Sequence, residues 1–168
     1  MKKKYNIGKH EIYKYNIDDY NFINYFKKLY EEENLESLYF KSNDYNSTKN
    51  KYEFLNEIDT DLHKIFYNDI KQNLNFKKIY IKFIKNIYNN IFPNEKFMIY
   101  QKFPSIRIQY PNSITVPPHK DSDNLSNHPI GEKNFIIPIT KMENTNSIYI
   151  ESFPDNKDYK SIKLLPGE

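Results

Sequence analysis

The sequence predicts an α+β chain in which helices from the first half pack against a sheet built from the second. Up to Pro93, apolar residues recur at helical spacing in three stripes; beyond it the apolar runs shorten and are separated by Pro, Asn, Asp and Gly. At 168 residues the chain suits a single compact domain. It reads as a helical part over 1–94 and a strand-rich part over 95–168.

The first stripe is Tyr20, Ile23, Phe26 and Tyr30, with Asp18 and Asp19 placed to cap a helix and Glu31 to Glu33 at its far end. Residues 42–50 are polar and read as a loop. The second stripe is Phe54, Leu55, Ile58, Leu62, Ile65, Phe66 and Ile70, which 59–61 is placed to interrupt. The third stripe is the clearest: Phe76, Ile79, Tyr80, Phe83, Ile84, Ile87, Tyr88 and Ile91 share one face, and Pro93 ends it. Strands are expected near 97–103, 105–110, 134–140, 147–152 and 160–165. No internal repeat or low-complexity linker divides the two halves.

Composition narrows the classes of function. The 16 Tyr and 12 Phe supply a packed interior despite a low mean hydropathy of -0.87. The absence of cysteine removes disulfides, thiolate metal sites and cysteine nucleophiles. The net charge of +3 comes from lysines interleaved with acids, with no basic block beside aromatic platforms, so no nucleic-acid partner is expected. The basic start 1–4 leads into residues repeatedly broken by polar side chains, so no signal peptide is expected, and 135–139 is far too short to span a bilayer. A soluble protein with no membrane partner, cytoplasmic by default, is the expectation.

Chemistry concentrates in Val116-Pro117-Pro118-His119-Lys120-Asp121. On a strand, His119 and Asp121 point to one face and can ligate one metal. Two His and one carboxylate on one side of Fe(II), with the remaining positions open, is the ligand set of non-haem iron oxygenases, and these residues supply two of the three. Spacing alone leaves a second reading open, a turn in which Asp121 caps backbone amides. Arg107 is the sole arginine in a lysine-rich chain. On a strand it shares a face with Gln109, opposite Ile106 and Ile108, where its planar fork is suited to a carboxylate of a co-substrate or to a structural ion pair.

The run Arg107-Ile108-Gln109-Tyr110-Pro111, then His119-Lys120-Asp121-Ser122-Asp123, then His128-Pro129-Ile130-Gly131-Glu132-Lys133-Asn134-Phe135 resembles the iron(II) and 2-oxoglutarate-dependent oxygenases, particularly the group associated with streptomycin-type antibiotic biosynthesis. Asn144 to Ser147, Glu151-Ser152 and Pro166-Gly167-Glu168 follow in the order of that group. The resemblance covers 107–168 and only loosely the helices.

It implies helices packed on a partial double-stranded β-helix, a jelly-roll barrel, with His119 and Asp121 as ligands of Fe(II). Arg107 would grip a carboxylate, and Asn134 would reach the 2-oxoglutarate co-substrate. It further implies oxidation or hydroxylation of a small molecule with consumption of oxygen. In the family the second His ligand and the main 2-oxoglutarate-binding Arg lie on strands after the Gly-Glu step, so the resemblance implies a barrel cut short at its C-terminal side and a chain inactive by itself. Two other readings of the same residues are a jelly-roll binding module without metal and a metal-dependent cupin isomerase or epimerase.

Overall fold

The computed structural model describes residues 1–48, 53–54, 60–114, 128–129 and 131–168. The chain opens with an antiparallel hairpin, β1 (Lys2–Ile7) and β2 (His10–Lys14), in which Ile7 faces His10 and Tyr5 faces Ile12. Gly8, at a φ of 56°, makes the two-residue turn. Within the part read as helical, 1–94, residues 2–14 form this hairpin instead: apolar residues there are too sparse for a helical stripe, and alternation buries Ile12 alone.

Asp18 and Asp19 sit in a 3₁₀ turn, Ile17–Asp19, whose cap is Asn16, so they do not cap the following helix. That helix, α1 (Phe22–Tyr30), starts after Asn21 in the left-handed region and buries Phe22, Phe26 and Tyr30 at intervals of four. A 3₁₀ segment over Leu35–Lys41 follows. Within the stretch read as a loop lies a short helix, α2 (Asn43–Thr48). The Tyr45 N–H donates to Ser42 Oγ at 3.3 Å at its start, and Asp44, in its first turn, accepts the backbone N–H of Asp61 at 2.7 Å.

The second stripe does not form one helix. Phe54 belongs to β3 (Glu53–Phe54), Leu55 and Ile58 lie outside the described residues, and α3 runs over Asp61–Ile70. Thr60 ends the ambiguity: its side chain accepts the His63 backbone N–H, so the expected interruption is a helix start. Next, α4 (Leu74–Ile91) is capped by Asn73, which accepts from Asn75 N and Phe76 N at 3.0 Å each. It buries Phe76, Tyr80, Phe83 and Ile87.

These helices close an aromatic core. The Phe83 ring, 2% exposed, lies at its centre with T-shaped contacts to Tyr15 at 5.0 Å, Tyr20 at 4.9 Å and Phe22 at 5.4 Å. Tyr110 from the second half is buried in the same core, against which Ile106, Ile108, Ile137 and Ile139 pack.

Beyond α4 the described pairing is sparse. β4 (Ser113–Ile114) lies parallel to β3, and β5 (Tyr149–Ile150) pairs antiparallel with β6 (Lys160–Ser161), extended by a bridge between Met142 and Leu164. Among the described residues, 97–103, 105–110 and 134–140 form no strand ladder, and no closed barrel is formed.

The two ends of the chain meet. Ile12 packs with Ile162 and Leu164, the Tyr15 N–H donates to the Gly167 carbonyl at 2.8 Å, and Lys4 pairs with Glu168. The N-terminal hairpin therefore packs on the C-terminal one, across the boundary drawn at residue 94. No described helix is long and apolar enough to cross a membrane.

Candidate functional site

The segment 105–110 is positioned by helix side chains where a sheet would use a neighbouring strand. The Ile106 N–H donates to the Tyr67 hydroxyl at 3.3 Å, and the Ile108 N–H donates to His63 Nε2 at 3.3 Å. Residues two apart on an extended chain are about 6.6 Å apart, and residues four apart on a helix rise about 6 Å. His63 and Tyr67, one turn apart on α3, thus match the repeat of the segment they hold.

Because Nε2 of His63 accepts a hydrogen bond, the neutral ring carries its proton on Nδ1, which donates to Thr60 Oγ1 at 2.5 Å. The buried Tyr110 hydroxyl donates to the same oxygen at 3.3 Å. The network continues through Asp61, which accepts from Ser42 Oγ at 2.6 Å and from the Asn43 N–H at 2.8 Å. Burial, then the charge of Arg107, lowers the His63 pKa to about 4, against the opposing pull of Asp61. Burial likewise raises the Tyr110 pKa.

On this support the burial of 106–110 alternates. Ile106 and Ile108 turn toward the core, while Arg107 and Gln109 are exposed. Gln109 is committed to a turn, its Nε2 donating to the Ser113 carbonyl at 2.6 Å and to the Tyr110 carbonyl at 2.9 Å. Arg107 reaches the Ile106 carbonyl at a long 3.4 Å. Asn134 is exposed at the start of an extended segment whose Phe135 ring meets Phe92 edge to face at 6.2 Å.

His119 and Asp121 lie outside the described residues. The other three histidines are otherwise engaged: His10 Nε2 meets the Glu151 carbonyl at 2.7 Å, His63 is held as above, and His128 Nδ1 meets Glu132 at 2.7 Å. Among the described residues, no group of three or more His, Cys, Asp or Glu side chains is placed to hold a metal ion. His63 is not among the candidates read from the sequence. Its signal was local: Thr60 three residues before it marks a helix start and puts the ring in the first turn, facing inward beside Leu62 and Phe66.

No protein-family model matches the chain, and neither a curated protein nor a solved structure matches it.

Proposed function

We propose that this chain carries part of a non-haem Fe(II) and 2-oxoglutarate-dependent oxygenase acting on a small molecule. The observation that carries the reading is the His119-Lys120-Asp121 run with its Pro-Pro lead-in, set between the segment bearing Arg107 and the apolar run 134–139. The donor chemistry suits the metal, since imidazole and carboxylate are the ligand types of Fe(II) sites that leave positions open.

In this reading His119 and Asp121 hold the iron, which when bound supplies the activation of oxygen. A third ligand comes from outside the described residues. Arg107 stands on the exposed side of a segment braced by α3, which supports a role in orienting a carboxylate of the co-substrate or substrate. With two ligands the chain is expected to hold iron weakly and to release no succinate by itself.

The test is anaerobic Fe(II) titration of the chain, with His119→Ala, Asp121→Ala and His128→Ala as variants. Binding of one Fe(II) that is lost in the first two variants and kept in the third is the expected result. Metal binding indifferent to His119 and Asp121 overturns the proposal, and no binding of Fe(II) at all overturns it in favour of a metal-free binding module. In a longer polypeptide that completes the ligand set, iron binding with no 2-oxoglutarate-dependent succinate release would favour an isomerase or epimerase.

A further inference from the structure

We propose that the outward face of α4 is a docking surface for an anionic phospholipid bilayer. Leu74, Lys77, Lys78, Ile81, Lys82 and Lys85 recur every three or four residues and line one shallow groove of about 450 Å³. This stripe lies apart from the buried one of Phe76, Tyr80, Phe83 and Ile87, so the helix is fixed in the core by one side and presents the other. Its 18 residues include no Asp or Glu.

The charges on this face are available. Among the described residues, no hydrogen bond or ion pair engages the side chains of Lys77, Lys78 or Lys85. Lys82 is the exception, donating to the Asp19 carbonyl at 2.7 Å and lying 5.3 Å from the centre of the Tyr20 ring. Near the start of the helix, Asp69 is occupied by the Tyr25 hydroxyl at 2.6 Å and the Asn73 amide at 2.8 Å.

Lipid fits this face better than nucleic acid does. Leu74 is 68% exposed and Ile81 is partly exposed between the lysines. Neither gains from a phosphodiester strand, whereas both can enter the boundary between headgroups and acyl chains while the lysines reach phosphate and carboxylate groups. The face has no arginine to read bases and no exposed aromatic ring to stack on them. A helix face lying on a plane needs no shaped partner, and the lack of a spanning helix among the described residues has no bearing on surface binding. The inference is independent of the iron site.

The experiment is co-sedimentation of the full chain with phosphatidylcholine vesicles, with and without phosphatidylserine, at low and high salt. The expected result is binding that requires phosphatidylserine and is reversed by salt. Each lysine removed should weaken it about five-fold, so Lys77→Gln with Lys78→Gln lowers it about twenty-five-fold. Leu74→Ser weakens it at constant charge, and the control pair Lys160→Gln with Lys163→Gln, away from α4, leaves most of it. Binding that ignores phosphatidylserine, or an equal loss in the control pair, overturns the proposal. Tighter binding to duplex DNA or single-stranded RNA that is unchanged by Leu74→Ser assigns the face to nucleic acid and overturns it as well.

Discussion

His63 of α3 accepts the backbone N–H of Ile108 at 3.3 Å, joining residues 45 apart in sequence through a ring with no solvent exposure. That bond, with the Tyr67 hydroxyl one helical turn away, lets an extended segment lie on a helix with its amides satisfied. Protonating the ring would turn the acceptor into a donor facing a donor.

A first expectation concerns acid stability. The folded pKa of His63, about 4, lies below its ordinary 6.5, so the unfolded chain binds more protons between these values. The stabilisation is therefore present above pH 6.5 and is lost as pH falls through about 4. Urea midpoints measured across this window should fall with pH for the native chain and fall less for His63→Gln. Equal slopes would show that the ring is not held neutral.

The same geometry couples His63 to Arg107, whose charge is the second cause of the lowered pKa. Arg107→Gln should raise the His63 pKa toward its ordinary value, read by NMR titration of the ring, and so lessen the loss of stability in acid. At neutral pH the change in stability should stay within about 0.5 kcal/mol, because the side chain is exposed. An unchanged His63 titration would place the guanidinium away from the ring.

Phe83→Ala removes the ring that Tyr15, Tyr20 and Phe22 all contact edge on. Loss of about 3–5 kcal/mol in denaturant unfolding is expected. A loss below 1 kcal/mol, on the order of an exposed site, would contradict its central place in the core.

Gly8→Ala tests whether the two chain ends are docked. A Cβ at Gly8 would collide with the Ser152 carbonyl, and the φ of 56° disfavours any side chain there. The variant should lose about 1–3 kcal/mol and speed hydrogen exchange at Lys9, whose N–H donates to Ser152 at 2.9 Å. Exchange at Lys9 that is fast already in the native chain would show that the contact does not persist.

The helices were legible to the degree that a single stripe decided them. α4 follows its stripe from Phe76 to Ile91 because buried residues at intervals of three and four leave no other period. α1 kept its apolar side, but its start moved past Asp18 and Asp19, since Asn16 capped the earlier turn. The start of α3 was written in Thr60 and read only as a break. The N-terminal hairpin was not read, because its alternation buries just Ile12. The alternation of 106–110 was also legible, and it gave the side of Arg107 without saying what would hold the segment.

The sequence by itself determined which stretches are amphipathic, where Pro93 stops the last helix, and which residue types are present for iron chemistry at His119 and Asp121. Local periodicity and side-chain chemistry suffice for those. Only the tertiary structure decided that His63 and Tyr67 take the place of a neighbouring strand for Ile106 and Ile108, and that the two ends of the chain pack together. Those arrangements rest on contacts between residues far apart in sequence. A buried backbone amide must find an acceptor, and which distant side chain supplies it is not encoded in any local pattern.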